Sequence, residues 1–442
     1  MPKNNGTRRA FLKKAAAVAG AAIGAPYFVP SSALGDDKTP AASERLAIGL
    51  IGTGNINTWH MHGFLGNKDC RIVAVADPFT ERREKMRDQI NKTYGQNVCT
   101  DHLDFRDLLA RADVDAVCIG TPDHWHAIMS ILAMRSGKDV YCEKPMTHTI
   151  AEGRAVADTA VQYGRIFQTG IQQRSGANFR YGCELVRNGR IGKVHTVRVG
   201  VVGINGGIQA GKTFPTTPVP ANFDYDLWQG PAALRPFSSE RVERGDKACY
   251  WYYISDYTIG FLSGWGVHHV DIAQWGIGMD HSGPVEINCT QALIPPDGLI
   301  DDVISWNSEL TYSNGVKVSF SDNNNPNPIG IRFEGDAGRV FVDRGRIDAE
   351  PKSLLKSVIA PGEIHLYESP EHHRNFLDCI RSRKLCAANP EIGHRATAAC
   401  NLVEVAARLG RKLKWDPVKE QFIGDEQANR MLSKTPRSPW KV

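Results

Sequence analysis

One stretch constrains this chain more than any other. RLAIGLIGTGNIN, at 45–57, is an apolar run ending in a Gly-x-Gly turn; RIVAVADP, at 71–78, is a second apolar run ending in Asp77. Short unbroken apolar runs bounded by turn residues read as buried strands. WHMHGFLGNK between them fits a crossover helix. Strand, glycine turn, helix, strand and acid, in that order, form the context in which such a turn holds a dinucleotide. Gly52 permits the tight turn, and Gly54 lets backbone amides approach a pyrophosphate. Asn55 and Ile56 open a helix whose N-terminus faces that anion. Asn57 stands where a third glycine is usual, which loosens the fingerprint. Asp77 is placed to accept from the adenine-ribose hydroxyls, which favours NAD, while Arg82 and Arg83 follow closely enough to leave NADP open.

The alternation continues. FRDLLARADVD fits a helix, AVCIGTPDHWH a strand into a loop, AIMSILAMRSGK a helix and DVYCEKP a strand and loop. Such alternation implies an α/β fold with a doubly wound parallel sheet over 45–169. Beyond Thr169 the pattern changes. VHTVRVGVVG, VEINCTQALI, ISWNSELTY, GVKVSFSD and GIRFEGDAGRVFVD read as β-rich segments, and HHRNFLDCIRSR and GHRATAACNLVEVAARLGRKL read as closing helices. A second, α+β domain is therefore expected over 170–442. The stretch from Gly203 to Tyr257 is rich in glycine, proline and aromatics, as a functional loop or partner-binding arm is. Its Trp228, Tyr250, Trp251, Tyr252 and Tyr253 are suited either to stacking on a sugar ring or to ordinary packing.

The N-terminus has an address. Residues 1–35 hold Lys3, Arg8, Arg9, Lys13 and Lys14, no acid, and an Ala/Gly-rich run of about 15 residues, too short for a span of roughly 20. This is the layout of a secretory signal, and Arg8–Arg9 followed by Phe11 and Leu12 resembles the twin-arginine type. Export through that route to the periplasm is expected, with no stable membrane span. Removing 1–35 lowers Lys+Arg from 53 to 48 against 48 acids, so the remaining chain is neutral. A neutral surface argues against nucleic acid as a partner. Ten cysteines are scattered without a Cys-x-x-Cys pair, and no third ligand accompanies His60/His62, His124/His126 or His372/His373, so no metal is expected.

TPDHWH at 121–126 and EKP at 143–145, joined by GIQQR at 170–174, DLWQGP at 226–231, GWGVHHVDIAQW at 264–275 and GHR at 393–395, resemble the Gfo/Idh/MocA oxidoreductase family. The resemblance runs from about Arg45 to the C-terminus. It implies an N-terminal Rossmann domain and a C-terminal domain with a large, mostly antiparallel open sheet, whose exposed face makes a homodimer or homotetramer. It places Lys144 between nicotinamide and substrate, with Glu143 orienting it and a cis bond before Pro145. It puts Thr121, Pro122, His126 and Gln172 beside the cofactor, His126 and Trp125 walling the nicotinamide pocket, and Arg174, Trp265, His269 and Asp271 beside the substrate.

The family's second motif is Gly-x-x-x-Asp-x-Gly-x-His. Here GFLSGWGVH puts Gly264 in the aspartate's place and keeps His268, with Asp271 one turn on. His268 is then the expected proton acceptor, since a neutral imidazole serves near neutral pH. The expected activity is hydride transfer between a tightly bound NAD(H) and a carbohydrate or polyol. NAD-dependent cleavage of a glycoside through transient ring oxidation would use the same residues, and product analysis separates the two. A non-catalytic sugar or cofactor binder is the reading from another class; retained Lys144 and His268 speak against it.

Overall fold

The computed structural model describes residues 40–442 apart from 205–207, 243, 246–247 and 323–326. The export signal read at 1–35 lies outside the described residues.

LAIGLI, ahead of the glycine turn, forms β1 (Leu46–Ile51). It is joined by β2 (Cys70–Ala76), β3 (Thr100–His102), β4 (Ala116–Ile119), β5 (Asp139–Cys142) and β6 (Phe167–Thr169). The six strands pair in the order β3-β2-β1-β4-β5-β6, all parallel. Every residue of β4 and β5 is buried, as strands covered on both faces must be. The crossovers carry α1 (Asn55–Leu65), α2 (Thr80–Tyr94), α3 (Phe105–Leu109) and α4 (His126–Arg135), and α5 (Ile150–Gln162) leads on to β6. The strand order reverses between β1 and β4, so the crevice for a ligand opens at their C-terminal ends.

α6 (Ala177–Arg187) leads into the second sheet, which begins with β7 (Val194–Val201). Then come α7 (Tyr225–Gln229), α8 (Gly260–Gly264) and α9 (Gly266–Ile277). Strands β8 (Pro284–Leu293), β9 (Ser305–Tyr312), β10 (Lys317–Asp322), β11 (Gly330–Gly335), β12 (Gly338–Asp343) and β13 (Arg346–Glu350) follow. α10 (His372–Ser382), α11 (Pro390–Leu409), β14 (Leu413–Asp416) and β15 (Gln421–Phe422) close the chain. The nine strands run β13-β12-β11-β7-β10-β9-β8-β14-β15, antiparallel except for β7 beside β10. On β9, Trp306, Ser308, Leu310 and Tyr312 alternate inward and meet a core that includes residues of α6, α9 and α11. The other face is polar: Arg198 donates to Glu334 at 2.9 Å and Lys317 to Glu309 at 2.9 Å.

α11 binds the halves together. Asn389 caps it by accepting from the Ile392 amide, and Pro390 stands in its first turn, where a missing N–H costs nothing. The helix touches both α5 and β8. Its Gly393 permits that approach, since a Cβ there would lie 2.0 Å from Thr169 Oγ1 at the end of β6. Both sheets accordingly lie within one compact unit, Leu46–Val442.

Candidate active site

β1 delivers its chain to Gly52, whose φ of +83° a side chain resists, and a Cβ there would stand 2.8 Å from the Gly120 carbonyl oxygen. At Gly54, ahead of α1, a Cβ would meet nothing within 4 Å among the described residues, and none of their side chains caps the helix. Open space before uncapped first-turn amides fits a pyrophosphate. Asn57 does more than replace a glycine. Its amide donates to the Ile51 and Gly52 carbonyls at 2.9 and 2.6 Å, and its oxygen accepts from Cys118 Sγ at 3.3 Å. The room for it comes from β4's end, where a Cβ on Gly120 would lie 2.7 Å from Asn57.

Asp77 ends β2. Its carboxylate accepts from the Thr53 amide at 2.7 Å and the Phe79 amide at 2.8 Å, and burial pushes its pKa up. Arg83 is committed to Asp101 at 3.0 Å, whereas Arg82 lies 4.2 Å over the Phe79 ring and lines the cleft.

That cleft is a cavity of about 1090 Å³. It takes in Gly52, Gly54, Asn55, Ile56 and Asp77 from the β1 and β2 ends, Thr121 and Pro122 after β4, and Glu143 and Lys144 after β5. Thr121 Oγ1 is buried without a hydrogen-bond partner among the described residues, which fits a polar group bound there. Trp125, Trp228, Trp251, Tyr252, Tyr253 and Phe261 form an aromatic wall. Trp125 Nε1 donates to the Trp228 carbonyl at 2.9 Å. Gly230, just after α7, lies so close to Trp125 that a Cβ would be 1.9 Å from its ring. Asp123 Oδ2 accepts from Thr258 Oγ1 at 2.6 Å, and burial lifts its pKa to about 6.

His126 does not line this cavity. Its ring nitrogens face the Pro145 carbonyl at 2.7 Å and the Thr121 carbonyl at 3.0 Å, so both must donate and the ring is cationic. Burial opposes that charge, but Cys142, Asp123 and the Pro145 carbonyl outweigh it and lift the pKa to about 10. The imidazolium clamps the loop after β4 to the loop after β5, where Lys144–Pro145 is cis.

Glu143 is the hub behind Lys144. Its Oε2 accepts from the Lys144 amide at 3.1 Å, and its Oε1 accepts from Gln172 Nε2 at 2.8 Å and from His60 Nε2 at 3.0 Å. Burial works against its charge, but His60 and Lys144 hold its pKa at about 2. His60 Nδ1 meets His373 Nε2 at 2.8 Å, and His373 Nδ1 meets Glu371 Oε1 at 2.9 Å. Two histidine pairs that the sequence offers only as doublets are thus split and recombined across the fold. Among the described residues no group of three or more His, Cys, Asp or Glu side chains is gathered for a metal.

The second half departs from expectation. Asp271 takes both its oxygens to Arg174 Nε, at 2.8 and 3.0 Å, and Arg174 also reaches Asp280 at 3.2 Å and lies over Trp275. This buried pair joins the segment before α6 to α9, and neither member lines the cavity. His269 Nδ1 faces the Gly200 carbonyl at 2.9 Å, with burial lowering its pKa to about 4. Trp265 lies under the Arg344 guanidinium at 4.1 Å. His268 is 1% exposed, and its Nδ1 has no hydrogen-bond partner among the described residues. Burial, with the charges of Lys144 and Arg344 acting on it, holds His268 well below the usual histidine range. None of Trp265, His268 or His269 lines the cavity. Tyr252 does, and its hydroxyl accepts from Lys144 Nζ at 3.3 Å.

Residues 46–171 match the family model described as oxidoreductase family, NAD-binding Rossmann fold, and residues 181–442 match oxidoreductase family, C-terminal alpha/beta domain. An inositol 2-dehydrogenase of Rhizobium meliloti is 34% identical over 151 residues, 34% of this chain and 43% of that protein. A glycosyl hydrolase family 109 protein of Shewanella baltica is 31% identical over 167 residues, 35% of this chain and 36% of the relative. The chain thus spans less than half the length of these curated relatives. Among solved structures, the WlbA dehydrogenase of Bordetella pertussis, in complex with NADH and UDP-GlcNAcA, shares the fold at a TM-score of 0.61 and 18% identity, over 84% of this chain and 99% of that one.

Proposed function

The chain belongs to the Gfo/Idh/MocA oxidoreductases, with an NAD-binding Rossmann fold, and from that premise we propose that it moves a hydride between NAD(H) and a hydroxyl-bearing or carbonyl carbon of a carbohydrate or polyol. One observation carries this reading. Lys144, on the loop after β5, lines the same cavity as the glycine turn of β1, so a cation stands beside whatever lies against the far end of a dinucleotide held there. Bound NAD supplies the hydride acceptor. The protein's own groups do the rest: Lys144 steadies the charge that grows on the substrate oxygen, Glu143 fixes the Lys144 backbone, and the aromatic wall offers flat apolar faces to a sugar ring. A nicotinamide-absorbance screen of the purified protein against polyols, sugars and glycosides tests it. Bound NAD that no member of the panel reduces would defeat the proposal.

The aromatic wall and the glycosyl hydrolase relative favour a second reading, NAD-dependent glycoside cleavage through transient oxidation of a ring carbon. Chromatography of products decides: a released aglycone without net NADH points to cleavage, a keto sugar with NADH to oxidation.

Export through the twin-arginine route belongs to the same proposal, as does a cofactor carried from the cytoplasm and retained. Denaturing the purified protein should release nicotinamide into the supernatant; none there, with rapid exchange of added NAD, would count against retention. Replacing Arg8 and Arg9 by lysine should hold the protein in the cytoplasmic fraction. Self-association through the open face of the nine-stranded sheet is proposed too, and sedimentation in solution measures it.

A further inference from the structure

The sequence leaves a gap at Gly264, and the structure shows what fills it. A Cβ on Gly264 would lie 1.9 Å from the Tyr252 hydroxyl oxygen and 2.4 Å from its Cζ. The phenol therefore occupies the ground on which a side chain at 264 would stand. Its oxygen is the one to which Lys144 Nζ donates, at 3.3 Å. The ring is held from two sides, edge-on to Trp251 at 5.0 Å and to Phe261 of α8 at 5.3 Å. Tyr252 also lines the cavity, whereas His268 does not.

Resting on the hydride-transfer reading, we infer that Tyr252 is the proton-transfer group of this enzyme, entering from the 203–257 loop to take the place that an acidic residue at 264 would hold. In the oxidation direction the substrate O–H bond breaks and its proton passes to Tyr252 Oη, in phenolate form. The carbinol C–H bond breaks in the same event, its hydrogen leaving with the electron pair as hydride for NAD⁺, and the C=O π bond forms. Lys144 donates to the phenolate throughout, and an ammonium donor favours that form. In reduction the same proton returns from the phenol.

The test uses the NAD-loaded protein and Tyr252→Phe, which keeps the ring and its packing. The expected result is a fall in kcat of about 10²-fold or more, the scale of lost acid–base catalysis, with the Kd for NADH unchanged. Ultraviolet titration provides a readout independent of turnover: the wild type should show one phenolate appearing below the ordinary tyrosine range, absent from the variant. A second variant, Gly264→Ala, leaves Tyr252 in the chain but sets a methyl against its oxygen, and kcat should fall with it. Wild type and Tyr252→Phe titrating alike, or a variant whose kcat stays within about threefold of wild type, would overturn the assignment. A wild type that shows the early phenolate yet reduces no NAD with any substrate would instead overturn the functional reading.

Discussion

At the scale of single residues, two positions set the chemistry and the hold on the cofactor. Lys144→Ala should abolish turnover while NADH still binds, because the lost charge acts on the reacting oxygen and not on the dinucleotide. Unchanged kcat would remove Lys144 from the mechanism. Asn57→Ala should lower stability by about 2 kcal/mol, because it strands the buried Gly52 carbonyl and leaves the Ile51 carbonyl only its bond from the Gly120 amide; chemical denaturation measures it. That second residue shows where legibility in the sequence ends. Gly52, Gly54 and Asp77 could be read from spacing along 45–78, but the fitness of Asn57 depends on Gly120, 63 positions away, whose missing side chain makes the room. The same holds for Arg174 and Asp271, which a motif places beside the substrate and the fold pairs with each other.

At the scale of elements, strands buried on both faces and strands with strict alternation were legible, since the solvent boundary writes itself into their period. β13, reading RIDAE, alternates over only two apolar residues, one of them an alanine, and β15 is two residues long, so neither is long enough to stand out. α2 is nearly all polar, with only Met86 and Ile90 buried, and gives the same weak signal. The 203–257 stretch reads as an arm of unknown purpose, and its purpose lies in what it leans on: α7 and its neighbours wall the cavity and lock onto Trp125. Gly230→Ala, at φ +48° and in collision with that indole, should detach the wall. KM for the sugar should rise about 10-fold or more with kcat changed less, as expected when binding contacts and not the reacting groups are lost. Equal effects on both would show that the wall also sets the reaction geometry.

At the scale of the whole molecule, acid should be the weak flank. Burial holds His148 and His268 below their ordinary pKa and brings His124 to about 3 and His269 and His372 to about 4. Unfolded, each takes a proton near pH 6.5, so the unfolded state gains protons first on acidification. The stability they contribute is present above that pH and is lost as pH falls, by about 1.4 kcal/mol per unit for each ring. Asp123 and Asp271, lifted to about 6, act in the opposite sense, as do Asp77, Glu152 and Asp302, which burial also lifts, and His126 above pH 6.5. The depressed rings, each losing about 2 kcal/mol between pH 6.5 and 5, outweigh them together. The thermal midpoint should therefore drop markedly from pH 7.5 to pH 5. A midpoint that held or rose would mean that these rings do not stay neutral in the folded protein.

The row that runs from Glu143 through His60 and His373 to Glu371 has a consequence in simple stoichiometry. It makes three hydrogen bonds, and each needs one hydrogen. Two neutral imidazoles bring one N–H apiece, and ionised carboxylates bring none. The row must therefore hold one proton more than its rings would carry alone, lodged between a carboxylate at the cavity and a carboxylate at the surface. Passing the hydrogen on His60 Nε2 to Glu143 would place that surplus at the cavity and leave two neutral rings, with one hydrogen still in each of the three bonds. Nitrogen NMR of the two rings should count it as a single imidazolium shared between them.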